Sequence, residues 1–311
     1  MRKVRIMISA IEIIGLEKKY NDSTILKSIN IKVKKGEIYG LLGRNGAGKT
    51  TIMKIILGLV KPSKGKTTVL GEDTSTVEGK KILRKVGCII ENPGFYSNLT
   101  GTENLMIFSK LRGIEEGKVK EALAMVNLPY NDKKLFEKYS LGMKQRLAIA
   151  NAIMHKPDIL ILDEPINGLD PIGISEVRNL LKSLKKDGVT ILISSHILPE
   201  LENLADKIGI INNGKLIEEI DMKTWDESNI SGIKVLVNDI NKAKNVLIKN
   251  GIKGSDISEC RDGLVVTNKS LSISIINKIF VVGEVEVNGI IEEKRTLEEY
   301  FKVVTGEHGI G

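Results

Sequence analysis

The sequence of 311 residues lacks several features that mark whole classes of protein. It contains two cysteines, Cys88 and Cys260, which lie far apart and form no spaced cluster. Their number and spacing argue against a disulfide framework and against a zinc site. Aromatic residues make up only 4% of the chain, and no basic stripe carries interleaved aromatic residues. We therefore expect no nucleic-acid partner.

Long apolar runs are also missing. The longest, residues 52–60, is interrupted by Lys54 and Gly58 and is far too short to cross a bilayer. The first residues are basic, but no apolar core of signal-peptide length follows them. We therefore expect a cytosolic protein. With 41% hydrophobic and 28% charged residues, the composition is that of a soluble globular protein, long enough for one large domain plus a small one.

The net charge of +8 is unevenly distributed along the chain. Residues 1–224 contain 36 Lys and Arg against 26 Asp and Glu, whereas residues 225–311 contain 11 against 13. A basic body can meet nucleic acid, the anionic inner face of a membrane, or only the polyphosphate that it binds. A solvated, lysine-rich surface explains the same excess equally well.

A glycine-rich stretch lies between an apolar run and a helical pattern. Residues 43–50 fit the pattern G-x-x-x-x-G-K-[ST] at every constrained position. Residues 38–42 predict a buried strand before it, and residues 52–57 predict a helix after it. In this setting backbone N–H groups hold phosphate oxygens, Lys49 reaches the β- and γ-phosphates, and the Thr50 hydroxyl ligates Mg²⁺. The stretch predicts a nucleoside triphosphate site.

Two carboxylates follow a second buried strand. Residues 159–162 are all apolar, and Asp163 and Glu164 come directly after them. Because ligands of open α/β sheets gather at the carboxyl ends of strands, we expect Asp163 to hold the metal and Glu164 to polarise the attacking water. His196 follows the apolar strand 189–193 and could hydrogen-bond the γ-phosphate. Taken alone, a single histidine is more often structural or exposed.

The remaining pattern divides the chain. Helical spacing prevails from about residue 100 to residue 156 and predicts a mainly helical insert. A polar stretch near residues 222–231 marks a boundary, so we expect one domain over 1–222 and another over 223–311. Beyond the boundary the predicted order of strand, helix, strand, strand, helix, strand resembles a split β-α-β unit. The expected fold class is α/β with a small α+β C-terminal accessory domain.

Together these motifs resemble the nucleotide-binding subunit of an ATP-binding cassette (ABC) transporter, over about residues 9–220. In order, the motifs are the phosphate loop, Ser140-x-Gly142-x-x-Gln145-Arg146, Leu162-Asp163-Glu164-Pro165, Asn167-Gly168-Leu169-Asp170 and His196. The resemblance implies a P-loop cassette with a β-subdomain and a helical subdomain. It also implies hydrolysis of ATP with Mg²⁺, and a head-to-tail dimer with a copy of this chain or a paralogous cassette.

The resemblance further implies a set of site residues. Those expected to bind the nucleotide are Tyr20, Gly43, Arg44, Asn45, Gly46, Ala47, Gly48, Lys49, Thr50, Thr51, Glu91, Ser140, Gly142 and Asp170. Those expected to act in catalysis are Lys49, Glu164 and His196, and those expected to hold Mg²⁺ are Thr50, Asp163 and Glu91. Tyr20 matches the aromatic residue that stacks on adenine. Ser140 and Gly142 match the segment that caps the γ-phosphate of ATP held by the partner cassette.

Two positions depart from the family's pattern. The usual Leu-Ser-Gly-Gly-Gln signature is here Tyr139-Ser140-Leu141-Gly142-Met143, and Glu91 stands where a glutamine is usual. Residues 91–96, 140–145 and 296–301 resemble those of the subgroup that exports or expels bacitracin and lantibiotic peptides. That implies peptide or drug export through a separate membrane subunit, at the inner face of the cell membrane, giving resistance or immunity. Two alternatives stay open: a soluble cassette ATPase with a non-transport target, and a low-turnover regulatory ATP-binding subunit.

Overall fold

The computed structural model describes residues 9–91, 94–228, 230–268, 271–294 and 296–306, and these form two compact units. The first unit comprises the described residues up to Met222 together with those from Phe301 onward, and the second runs from Lys223 to Tyr300. The end of the last helix is thus grouped with the first unit, whereas the sequence predicts one domain over 223–311. In the described part of the chain, no helix combines the length and apolar character needed to cross a bilayer.

The strands coincide with runs of aliphatic and β-branched residues, as their side chains favour a pleated, half-buried surface. In chain order the strands are β1 (Ser9–Tyr20), β2 (Ser23–Lys34), β3 (Ile38–Leu42), β4 (Lys64–Val69), β5 (Glu72–Asp73), β6 (Val86–Ile89), β7 (Ile159–Leu162), β8 (Thr190–Ser195), β9 (Lys207–Asn212), β10 (Lys215–Asp221), β11 (Ile230–Val237), β12 (Ile257–Cys260), β13 (Gly263–Val266) and β14 (Val287–Lys294).

Several helices begin at Ser, Thr or Asp residues whose side chains accept a free N–H of the first turn. The α-helices are α1 (Lys49–Ile56), α2 (Val77–Ile82), α3 (Gly101–Arg112), α4 (Glu116–Met125), α5 (Leu141–Ile153), α6 (Pro171–Lys186), α7 (Leu198–Glu202), α8 (Met222–Ser228), α9 (Ile240–Lys249), α10 (Ile273–Val282) and α11 (Leu297–Thr305). Short 3-10 helices span Leu83–Lys85, Phe136–Lys138 and Gly254–Asp256.

Two sheets form the first unit. The smaller is antiparallel with the order β2-β1-β4-β5, and the larger has the order β10-β9-β3-β8-β7-β6. In the larger sheet all pairs are parallel except that of β9 with β10. Every residue of β3 and β7 is buried, which explains their uninterrupted apolar character. One apolar core joins both sheets and α1.

The predicted helical insert is confirmed as α3, α4 and α5. Strands β9 and β10 form an antiparallel hairpin. Two boundaries differ from the prediction. Helix α1 begins at Lys49, because the N–H of Ile52 already bonds to the carbonyl of Gly48 at 3.0 Å. Strand β8 continues through Ser194 and Ser195, because its parallel pairing with β3 extends to Leu42.

The second unit is a four-stranded antiparallel sheet with two helices. Its strand order, β12-β13-β11-β14, and its chain order, β11-α9-β12-β13-α10-β14, are those of the predicted split β-α-β unit. The apolar residues of α9 and α10 share a core with the strands, and this core includes Leu247, Leu264, Ile276 and Phe280.

We predict that Phe280→Ala loosens the second unit, because Phe280 is fully buried in its core. Loss of such a side chain costs about 3–5 kcal/mol of unfolding free energy. Val282→Ala is the matched control, since Val282 lies on the same helix but is 85% exposed. Hydrogen exchange followed by mass spectrometry should show faster exchange in β11 to β14 for Phe280→Ala only. Equal exchange in the two variants would contradict the assigned core.

Candidate active site

Three neighbouring parallel strands end at one edge of the larger sheet. Strand β3 leads into the glycine-rich loop, β7 leads into Asp163 and Glu164, and β8, which lies between them, leads into His196. Because parallel strands place their carboxyl ends together, the loop, the two carboxylates and the histidine gather in one place.

Asp163 is held through both of its carboxylate oxygens. The Thr50 hydroxyl donates to Oδ2 at 2.6 Å, and the Ser194 hydroxyl donates to Oδ1 at 2.6 Å. The Ser194 oxygen in turn accepts the backbone N–H of Glu164 at 2.9 Å. The sequence analysis did not assign Ser194 to the site. Its signal is a hydroxyl at the end of an aliphatic strand, and its complete burial explains why it must be hydrogen-bonded.

Lys49, Glu164 and His196 form a second set of contacts at the same edge. The Lys49 side chain is 95% buried, and its ammonium donates to the carbonyl of Gly43 at 2.5 Å and lies 3.2 Å from Glu164 Oε1. The other oxygen of Glu164, Oε2, lies 2.8 Å from His196 Nδ1. Glu164 adopts a left-handed backbone conformation with φ of 48°. The three side chains predicted to act in catalysis are therefore joined through Glu164, which contacts both of the others.

The loop between β3 and α1 can only be built from glycine at two positions. Gly48 has φ of 110°, and a Cβ there would lie 2.6 Å from Leu26 Cδ2; a Cβ on Gly43 would lie 2.4 Å from the carbonyl oxygen of Ile211. The loop borders a cavity of about 310 Å³. Its lining residues are Tyr20, Ile25, Arg44, Asn45, Gly46, Gly48, Lys49, Thr50, Thr51 and Glu164.

The residues at this cavity fit a nucleoside triphosphate and a magnesium ion. The first N–H groups of α1 and the Lys49 ammonium are donors for phosphate oxygens. The Thr50 hydroxyl and the Asp163 carboxylate are the hard oxygen donors that Mg²⁺ prefers, and they already lie in contact. Tyr20 is exposed at the cavity, with the Lys18 ammonium 4.5 Å from its ring centre. Such a ring offers a stacking surface for a base.

Glu91 has a partner that the sequence did not indicate. Its carboxylate, 66% exposed, forms an ion pair with the Lys54 ammonium of α1 at 2.6 Å, and its φ is 60°. Its predicted role as a Mg²⁺ ligand stays a prediction. Asn92 and Pro93, which follow it in the predicted subgroup motif, lie outside the described residues.

Ser140, Gly142 and Asp170 lie at a different cavity, of about 380 Å³, which shares no lining residue with the first. Ser140 caps α5 by accepting the N–H of Met143 at 3.3 Å, and Asp170 caps α6 by accepting the N–H of Gly173 at 2.9 Å. Leu141, which departs from the usual signature, packs against Gly168. Gly168 has φ of 73°, and a Cβ on it would lie 2.5 Å from Leu141 Cδ2. The predicted site residues thus form two separate groups.

Comparison with known proteins bears on both groups. The sequence profile of the family described as ABC transporter matches residues 26–167. The chain is 45% identical over 308 residues to the bacitracin transport ATP-binding protein BcrA of Bacillus licheniformis, and the alignment covers 98% of this chain and 100% of that protein. It is 47% identical over 209 residues to the lantibiotic transport ATP-binding protein SrtF of Streptococcus pyogenes, covering 67% of this chain and 90% of that protein.

Solved structures resemble about two thirds of the chain. A dimeric structure of a bacterial ABC transporter cassette matches with a TM-score of 0.61 and 25% identity, over 68% of this chain and 98% of that one. A dimeric cassette in a post-hydrolysis state, bound to ADP and Pi, matches with a TM-score of 0.60 and 25% identity, over the same shares of the two chains.

We predict that Ser194→Ala lowers ATP turnover about tenfold to a hundredfold, because Asp163 and the backbone of Glu164 lose a shared partner. The Mg²⁺ concentration for half-maximal activity should rise, since Asp163 is held on one oxygen only. Ser109→Ala is the control, because it removes another buried hydroxyl whose bond is to the α3 backbone. A turnover and Mg²⁺ dependence equal to those of Ser109→Ala would refute the assignment.

We also predict coupling between Lys54 and Glu91. Lys54→Met should weaken ATP binding about twofold to fivefold, the range expected for an exposed ion pair, because it leaves a carboxylate uncompensated. Glu91→Gln in the same chain should restore much of that loss. Lys118→Met, which breaks the surface pair with Glu121, should leave ATP binding unchanged. Titration with a fluorescent ATP analogue measures wild type, Lys54→Met, Glu91→Gln alone, the double variant and Lys118→Met, and strictly additive losses in the double variant would exclude the coupling.

Proposed function

The chain belongs to the family of ABC transporter ATP-binding proteins, and on that premise we propose that it powers export of a bacitracin-like or lantibiotic-like peptide, or a drug, through a separate membrane subunit. It is an ATPase of the cassette type, and ATP is its nucleotide. One observation carries the substrate class. The similarity to a bacitracin transport ATP-binding protein runs through 98% of the chain, so it includes the second unit as well as the cassette.

In the proposed mechanism, the phosphates of ATP replace the Glu164 carboxylate as the anionic partner of Lys49. In the structure the buried Lys49 side chain is balanced by Glu164 Oε1, which lies 3.2 Å from the ammonium. Phosphate oxygens are the stronger partner, because they also receive the N–H groups of the loop and of the first turn of α1. When they take over the ammonium, the carboxylate of Glu164 becomes available to a water molecule.

Glu164 then accepts hydrogen bonds and finally a proton from the water that attacks the γ-phosphorus. The contact of its Oε2 with His196 Nδ1 at 2.8 Å fixes the carboxylate while Oε1 faces the reaction. Mg²⁺, held by Thr50 and Asp163, would neutralise charge on the β- and γ-phosphate oxygens. Ser194 is a positioning residue, since it ties Asp163 to the backbone of Glu164.

The second cavity supports a head-to-tail dimer with a copy of this chain or with a paralogous cassette. Ser140 and Gly142 line a cavity apart from the phosphate loop, and Ser140 opens a thirteen-residue helix whose N-terminus favours anions. In the proposed assembly this helix end meets the γ-phosphate bound by the partner cassette. Dimeric structures of similar cassettes support that arrangement.

We further propose that the dimer works at the inner face of the cell membrane, bound to the permease subunit, and gives resistance or self-immunity. The support is the similarity to ATP-binding proteins of bacitracin and lantibiotic transport. In the cell that carries this chain, Glu164→Gln should raise susceptibility to bacitracin or to a lantibiotic. Unchanged susceptibility to both classes, with the variant present at the wild-type level, would exclude the proposed substrates.

We predict that Glu164→Gln lowers the ATPase rate of the purified chain at least about a hundredfold, because the water loses its proton acceptor. ATP affinity should be kept, and the dimer should accumulate in ATP and Mg²⁺, as light scattering after gel filtration would show. Glu72→Gln is the control, because it neutralises an exposed carboxylate on β5. A variant that still hydrolyses ATP at the Glu72→Gln rate would remove Glu164 from the mechanism.

A further inference from the structure

A cavity of about 840 Å³ in the first unit plays no part in the proposed ATP chemistry. It lies at β6, the edge strand of the larger sheet, with walls from α2, the 3-10 helix after it and the C-terminal end of α3. It shares no lining residue with the cavity at the phosphate loop or with that at Ser140.

The charge of this cavity has one sign. Lys80, Arg84, Lys110 and Arg112 line it, and no Asp or Glu does. Within the described part of the chain, none of the four forms an ion pair with a carboxylate. Four like charges around one cavity repel each other, so an anion bound among them would relieve that repulsion.

Nearby cations are treated differently by the fold. Lys85, the residue after Arg84, pairs with Asp158 at 3.4 Å, and Lys118 and Lys156 both pair with Glu121. These three lysines are therefore charge-balanced, whereas, among the residues that the structure describes, the four cations that line the cavity are not.

Two further residues define the cavity's chemistry. Burial, with the neighbouring Arg112 guanidinium, lowers the pKa of His155, so the imidazole is neutral at pH 7 and the four cations carry the charge. Arg112 is fixed, because it donates to the carbonyl of Asn151 at 2.8 Å. The other three cations are exposed and have no hydrogen bond within the described part of the chain.

An exposed aliphatic side chain lies among these cations. Leu111, between Lys110 and Arg112 at the end of α3, is 77% exposed and lines the same cavity. Cations with an exposed aliphatic residue and no carboxylate are the composition of a surface that meets a lipid interface. A lipid interface explains the exposure of Leu111 more directly than a soluble phosphate or an acidic protein segment does. Guanidinium and ammonium groups are both phosphate donors.

We propose that this cavity binds the phosphate of an anionic lipid head group and so holds the cassette against the inner leaflet of the membrane. The proposal depends on the proposed function only for placing the chain at a membrane. The four cations supply the attraction to phosphate, and Leu111 contacts the apolar part of the interface.

The test is sedimentation with vesicles of phosphatidylglycerol in phosphatidylcholine, and with phosphatidylcholine alone, while a non-hydrolysable ATP analogue fills the nucleotide site. We expect the full chain to bind the anionic vesicles only. The triple variant Lys80→Gln, Arg84→Gln, Lys110→Gln should bind about a hundredfold more weakly, at roughly fivefold for each cation. The control variant, Lys120→Gln, Lys182→Gln, Lys186→Gln, has the same net charge as the first triple variant, because it also replaces three exposed, unpaired cations. It should bind like wild type. Equal loss in the two triples would overturn the proposal in favour of diffuse charge.

Two more arms separate other sources of the anion. Leu111→Ser should weaken vesicle binding, and inorganic phosphate should compete poorly. If Leu111→Ser has no effect and inorganic phosphate displaces the vesicles, the site takes a soluble anion and the lipid proposal fails. If the triple variant binds vesicles normally but no longer binds the purified membrane subunit, the cavity takes an acidic protein segment and the proposal also fails. Basal ATPase activity should stay unchanged in both triples, so a negative vesicle result leaves the ATPase and export function standing.

Discussion

The position of β8 between β3 and β7 is the constraint on which the active site depends. It places a buried hydroxyl, Ser194, between the end of the phosphate-loop strand and the strand that carries the two carboxylates. Asp163 is then held from both sides, by Thr50 and by Ser194. A register slip of one residue in β8 would turn Ser194 to the opposite face of the sheet, away from Asp163. The continuous apolar sequences of these strands reflect their burial on both faces of the sheet.

Charge balance is the second requirement at this edge. The Lys49 side chain is 95% buried, and a buried ammonium needs anionic or carbonyl partners. The carbonyl of Gly43 and the carboxylate of Glu164 supply them. In the proposed mechanism the same two charges act again. The phosphates pair with the Lys49 ammonium, and the released Glu164 carboxylate accepts a hydrogen bond from the attacking water. The contact with His196 keeps Glu164 oriented during that exchange. The local left-handed backbone of Glu164 is consistent with such a constrained position.

The sequence predicts the fold class, the helical insert and the gathering of Lys49, Asp163, Glu164 and His196, because each depends on a local pattern or on the rule that parallel strands end together. It does not predict the pairs that join distant segments. Lys54 and Glu91 are 37 residues apart, and Ser194 reaches Asp163 over 31. The fit of Leu141 against Gly168 is of the same kind, because only the folded chain shows that this position has no room for a Cβ. The start of α1 was misplaced because the loop residues Lys49, Thr50 and Thr51 have no apolar periodicity, although their N–H groups already follow the helix.

From the sequence alone, the excess of positive charge in residues 1–224 has several explanations. The structure divides these charges into three groups. Some of the charge is neutralised by ion pairs on the surface of the first unit, such as Arg146 with Glu176 and Arg178 with Glu200. The charge of Lys49 lies at the cavity of the phosphate loop, where the nucleotide is expected to bind. The four cations at the β6 cavity belong to neither class, since they are unpaired and share no lining residue with the phosphate loop. A solvated lysine surface would scatter such charges among carboxylates, whereas these converge around one cavity together with an exposed leucine. That convergence is an argument for a bound anion, and the leucine is an argument for a membrane as its source.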